Sequence, residues 1–147
     1  MSDDACPLPR ELDDGDRAAV ERMLDCRRIA VVGLSDRPDR PSYEVSEYLQ
    51  RHGYEIVPVN PKIGQVLGAK SAKSLAEVGR PIDVALVFRK SEDCEQVTRE
   101  AIAAGAKGVW LQAGIRNESA RKLAAEAGVD FVQDRCMMVM HMRRAGR

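Results

Sequence analysis

Five short runs rich in β-branched and apolar residues recur along this chain, each parted from the next by helical spacing, and that alternation constrains the fold more than any other feature. The runs are Ile29 to Val32, Glu55 to Val59, Ile82 to Phe88, Gly108 to Leu111 and Asp130 to Val132. Where such a run is continuously apolar, as at Ile29 to Val32, it suits a strand covered on both faces of a parallel sheet. Between the first two runs, Pro41 and Ser42 open a helix in which Val45, Leu49 and the outlying His52 share a stripe, with Gly53 at its C-terminal end. Ser74 and Glu77 have capping-box spacing over a short helix from Leu75 to Val78. Ser91 begins a helix lined by Val97, Ala101 and Ile102 and closed by Gly105, and Asn117 caps another that ends at Gly128. Ahead of the first strand, Asp16 is positioned to cap a short helix carrying Val20, Met23 and Leu24 on one face and ending near Cys26. This helix is expected to lie against the sheet.

Strand and helix alternating in this way define an α/β class with a doubly wound, five-stranded parallel sheet between two helical layers, since parallel crossovers are right-handed and must cover both faces. The expected strand order, counted along the chain, is 3-2-1-4-5. Winding then reverses between the first and fourth strands, and a crevice opens there at the carboxyl ends. Its loops would be 33 to 42 and 112 to 117. The chain of 147 residues suits one domain, expected from residue 15 to 147 after a mobile start over residues 1 to 14.

Lysine plus arginine and aspartate plus glutamate stand at 23 each, so no overall field draws nucleic acid or an anionic membrane, and an anion must be held locally. No apolar run approaches a membrane span, and the acidic opening MSDDACPLPRELDD has the wrong flank for a signal peptide, so a cytoplasmic setting is expected. Cys6, Cys26, Cys94 and Cys136 are far apart, and His52 and His141 are the only histidines. Neither a structural zinc site nor a disulfide framework fits that spacing.

Gly33 permits a tight turn after the first strand, and the amides and dipole of the following helix start favour a phosphate, to which Arg37, Arg40 and Ser42 add donors. A lone glycine after a strand is common, and such arginines are often solvated, so this signal is weak alone. The second strand is sharper. A fold that takes NAD usually ends it with a carboxylate for the ribose hydroxyls, whereas this chain has Asn60, Pro61 and Lys62. A lysine suits a phosphorylated ribose, which NADP and coenzyme A both carry. Phe88, Arg89 and Lys90 follow the third strand, where an adenine could lie against Phe88 and a cation meet a phosphate; Phe88 suits the core equally. Trp110 and Gln112 end the fourth strand, and a single tryptophan is more often a core anchor than a stacking platform.

Taken in order, "IAVVGLSDRPDRPSYEVSEYL", "GYEIVPVNP", "VFRKSE", "GAKGVWLQAGIRNE" and "DRC" resemble the small stand-alone CoA-binding domain proteins, relatives of the CoA-binding N-terminal domain of the succinyl-CoA synthetase α subunit. The resemblance implies a Rossmann-like domain that binds coenzyme A or an acyl-CoA. By motif, Gly33, Leu34, Ser35 and Asp36 with Arg40 and Ser42 would meet the phosphates, and Val59, Asn60 and Lys62 would border the nucleotide. Phe88 and Arg89 would flank the adenosine, while Gln112 and Ala113 would line the path of the pantetheine arm.

No acid, base and nucleophile set accompanies these loops, and the ligase domains of the larger relatives are absent, so a non-catalytic binding module is expected. An NADP-dependent oxidoreductase is the alternative, although no second domain remains to hold a substrate over a nicotinamide. A further alternative is an interaction subunit with a vestigial crevice, docking through the tail that carries Met137, Met138 and Met140. Such a cluster usually serves packing, or contact with a second copy in a homodimer. Cys136 with His141 or Arg135 invites a thiolate, or a mixed disulfide with the CoA thiol, but sequence separation alone does not establish reach. Asp134 and Arg135 read most simply as an ion pair or a helix cap.

Overall fold

The structure, a computed structural model, describes residues 14 to 146, so nearly all of the expected mobile N-terminus lies outside the described residues. Five strands, β1 (Arg28–Val32), β2 (Glu55–Val59), β5 (Val84–Val87), β6 (Gly108–Leu111) and β7 (Asp130–Val132), form one sheet in the order β2-β1-β5-β6-β7. All four pairings are parallel. The continuous apolar runs are explained by two buried faces. In β1, Ile29 and Val31 enter one core while Ala30 and Val32 enter the other. Val84 and Leu86 of β5 likewise oppose Ala85 and Val87.

The first core lies beneath α1 (Asp14–Leu24), α2 (Pro41–Arg51) and α6 (Met137–Ala145), and the second beneath α3 (Leu75–Val78), α4 (Cys94–Ala103) and α5 (Glu118–Ala127). This is the expected Rossmann-like, three-layer α/β/α arrangement. Helix α1 buries Ala19, Val20, Met23 and Leu24. It packs on the sheet where β6 offers Gly108, since a Cβ there would stand 2.8 Å from Met23 Cε. The helix begins before Asp16, which is therefore a first-turn residue and not the cap.

The expected strand order is corrected. Counting the five long strands along the chain, the order is 2-1-3-4-5. The outer edge of β2 is already occupied by the chain near Ala72, whose N–H donates to Pro58 O at 2.8 Å and whose carbonyl accepts from Asn60 N at 2.9 Å. The third long strand, β5, instead pairs on the free side of β1. Winding therefore reverses between β1 and β5, so the crevice loops are those after β1 and β5, and loop 112 to 117 stands one strand further along.

Other local differences have equally plain causes. A small hairpin, β3 (Gln65–Val66) and β4 (Ala69–Lys70), turns through Leu67 and Gly68 at positive φ. Ser74 makes no side-chain cap bond, and Glu77 Oε1 reaches back past it to Lys73 N at 3.1 Å. Ser91 opens a 3-10 turn that leads into α4. Asn117 does cap α5, accepting from Ala120 N at 2.8 Å, and Gly128 ends that helix in the left-handed region as expected. The methionine segment read as a tail is the helix α6, with Met137 fully buried and Met138 and Met140 packed against the first core. His52 is exposed and leaves the buried stripe of α2 to Val45 and Leu49.

Candidate functional site

The reversal of winding brings two backbone segments unusually close. Gly33, at φ +87°, follows β1 and donates its N–H to Val59 O at 2.9 Å. A Cβ there would stand 2.5 Å from the carbonyl oxygen of Phe88 and 3.3 Å from Arg89 Cδ. Only glycine permits this backbone and this approach together. The glycine thus brings the β1–α2 loop under Arg89, joining two of the sequence-predicted segments at the switch point.

Several predicted residues turn inward and shape the crevice from behind. Leu34 is fully buried, so only its backbone borders the loop. Ser42 is buried, and its Oγ accepts from Ser35 N at 3.0 Å. Ser35 Oγ in turn accepts from Arg37 N at 3.1 Å, so the loop is braced by its own hydroxyls. Val59 is core, and its carbonyl holds Gly33. Gln112 is also buried, with Oε1 accepting from Met137 N at 3.2 Å, which ties the end of β6 to the start of α6. Phe88 is half-buried against the first core, and Trp110 is fully buried with Nε1–H bonded to Arg135 O at 2.8 Å.

Asn60 is a brace between loops. Its Nδ2 donates to Leu34 O at 3.0 Å, its Oδ1 accepts from Lys62 N at 2.9 Å, and Ser71 Oγ donates to its carbonyl at 3.0 Å. Asn60→Ala leaves Leu34 O without its donor and is expected to cost about 1–2 kcal/mol. A urea titration checks this, and an unchanged midpoint would remove the brace.

Outward-facing groups are fewer. Asp36, Arg40, Lys62 and Ala113 are exposed, and neither Arg40 nor Lys62 joins an ion pair among the described residues. Arg89 is also exposed but pairs with Asp93 at 3.2 Å, and Arg37 lies 3.6 Å from Asp39. Loop 112 to 117 is fastened at several points: Gly114 N to Asp134 Oδ1 at 2.7 Å, Arg116 N to Ser91 Oγ at 3.1 Å, and Asn117 Nδ2 to Ser91 O at 2.9 Å. Ser71, which organises one of these loops, carried no sequence signal, because a serine in a polar turn looks solvated, and Ser91 was legible only as the start of a helix. Asp134 Oδ2 also lies 3.6 Å from Arg116 Nη1.

Burial pushes the Cys26 thiol up to about 12, with Asp83 adding to the shift, and burial pushes the Cys94 thiol up to about 11. Both stay protonated at neutral pH and are inert. His141, considered as a partner for Cys136, turns to α2, with Nδ1 2.7 Å from Tyr48 Oη. Among the described residues no three histidine, cysteine or acidic side chains gather to hold a metal, and no helix is long and apolar enough to cross a membrane.

The loops after β1 and β5 thus meet at the switch point of a doubly wound sheet, with Arg40 and Arg89 exposed on them. The family model described as CoA binding domain matches residues 27–142, and the chain belongs to that family. An uncharacterised protein of Bacillus subtilis, YneT, is 45% identical over 126 residues, covering 85% of this chain and 93% of its own. A solved hypothetical protein from Pyrococcus horikoshii is 37% identical with a TM-score of 0.83, over 91% of this chain and 96% of that one. The alpha subunit of an ADP-forming acetate–CoA ligase II from Pyrococcus furiosus is 29% identical over 133 residues, 83% of this chain. This chain spans 29% of that ligase subunit.

Proposed function

We propose that this chain binds coenzyme A or an acyl-CoA across the carboxyl ends of β1, β2 and β5, as a non-catalytic module. The observation that carries the reading is the close approach at Gly33, 2.5 Å from Phe88 O for any added Cβ, in a chain of the CoA-binding family. It brings the β1–α2 loop and the start of α2 to the switch point, where a diphosphate would sit with Arg40 at the N-terminus of α2. Lys62, exposed and without an ion pair, is the residue for the ribose 3′-phosphate. Phe88 and Arg89 flank the adenosine, while Gln112 holds the wall behind Ala113 for the pantetheine arm. A cytoplasmic setting belongs to the same reading, and exposed Met142 on α6 is where a second copy would pack in a homodimer.

Isothermal titration with CoA, dephospho-CoA, NADP and NAD tests the proposal. CoA binding is expected, weaker for dephospho-CoA. Lys62→Ala is expected to weaken CoA about tenfold while leaving dephospho-CoA unchanged, an effect of about 1.4 kcal/mol. Saturable NADP binding with no response to CoA would replace this reading with the oxidoreductase one.

A further inference from the structure

Helix α6 closes over α1 and α2, and polar contacts near its C-terminal end hold it there. Arg144 Nη1 lies 2.6 Å from Asp25 Oδ1 and 3.8 Å from Glu21 Oε2, and Nη2 donates to Leu24 O at 3.2 Å. His141 Nδ1 lies 2.7 Å from Tyr48 Oη. The same tyrosine carries the second histidine: the His52 ring stacks on it at 4.0 Å, with Nδ1 2.8 Å from Tyr48 O. A carbonyl oxygen only accepts, so His52 Nδ1 carries a hydrogen in that contact. The two imidazoles are 5.1 Å apart between centroids, and Tyr54 stands 5.7 Å from His141.

From this cluster we infer that α6 is an acid-released latch, held at neutral pH by the Tyr48–His141 contact and loosened when His141 gains a proton. The groups facing His141 are Tyr48 of α2, His52 at the C-cap of that helix, Tyr54 just before β2, and Arg144 on its own helix. Asp25 and Glu21 of α1 engage Arg144, and no ion pair joins a carboxylate to either imidazole among the described residues. A proton on His141 therefore meets a second imidazole and a guanidinium with no compensating anion. Burial, then His52 and Arg144, hold His141 below its usual value of 6.5.

Folded His141 thus binds its proton less readily than an unfolded histidine does. The unfolded or undocked chain takes up protons first, so this contribution is intact above about pH 6.5 and is lost as pH falls through that value toward the lower folded one. Loosening reaches the crevice through the start of the helix, where Met137 N bonds Gln112 Oε1 at 3.2 Å. That last step rests on the proposed CoA site.

Amide hydrogen exchange across residues 137–145, corrected for intrinsic rates, tests the latch between pH 7.5 and 5.5. In the wild-type chain, protection of α6 relative to α4 is expected to fall over that range, by up to about tenfold. In the double variant His52→Gln, His141→Gln the ratio is expected to stay constant. A constant ratio in the wild type, or the same fall in the double variant, overturns the inference. CoA titration at both pH values separates the two readings. An affinity that drops at pH 5.5 only in the wild type extends the latch to the site, and equal drops in both chains sever that link. Absence of CoA binding at either pH overturns the proposed function while the exchange data stand on their own.

Discussion

Gly33→Ala is expected to lower the stability of the chain by about 2–4 kcal/mol and to abolish ligand binding at the crevice. Two costs combine. At φ +87° a residue with a Cβ is strained wherever it sits, by about 1–2 kcal/mol. Here the Cβ also falls 2.5 Å from Phe88 O, a backbone atom that cannot swing aside as a side chain would. Relief requires β1 and β5 to part at their ends, where Phe88 N donates to Val32 O at 2.9 Å. Gly114 separates the two costs. It has φ +85° with nothing within 4 Å of a Cβ, so Gly114→Ala should carry the strain alone, about 1–2 kcal/mol. Urea midpoints and calorimetry with CoA measure both variants, and equal losses would show that the approach to Phe88 contributes nothing.

Strand existence was most legible at Ile29 to Val32, whose continuous apolar run needs two buried faces and finds them only inside a sheet. Neighbour relations were not legible. Orders 3-2-1-4-5 and 2-1-3-4-5 both bury the same runs with right-handed crossovers, and the difference lies in the edge contact of Ala72 with Pro58 and Asn60. That contact is made by backbone, which leaves no mark on residue type. The β3–β4 hairpin escaped for a related reason, since two-residue strands are too short to show alternation. Helix α6 escaped because methionines suit a packed helix and a sticky tail equally well. Only the burial of Met137 distinguishes them.

Within the crevice, loop position could be read more easily than side-chain direction. Gly33 was legible through its location after a strand, and exposed Arg40 and Lys62 through their charge. Leu34, Ser42 and Gln112 occupy the same loops yet point inward, because a turn this tight must satisfy its own amides before it offers any to a ligand. Asn60 in particular looks like a ligand-binding amide and spends both ends of its side chain on neighbouring backbone. His141 was linked in sequence to Cys136, five residues away, whereas its hydrogen-bond partner is Tyr48, 93 positions off. Proximity along the chain carries little weight once a helix turns the side chain to another face.

Trp110→Ala is expected to cost about 3–5 kcal/mol, a large fraction of the stability of an ordinary domain. The indole is fully buried on β6, between β5 and β7, and fills the core beneath α1 and α6. Its Nε1–H also supplies the hydrogen bond to Arg135 O at 2.8 Å, immediately before Cys136 at the N-cap of α6. Trp110→Phe isolates that second role. It keeps most of the apolar volume but leaves the Arg135 carbonyl without its donor, so about 1–2 kcal/mol should be lost. The Phe variant should fold and show faster hydrogen exchange at the start of α6 than in α4, because the missing bond anchors only that helix. Urea titration ranks the three chains, and exchange locates the loss. A Phe variant as stable as the wild type would mean that the indole contributes volume alone and that α6 is held by its histidine and arginine contacts without help from β6.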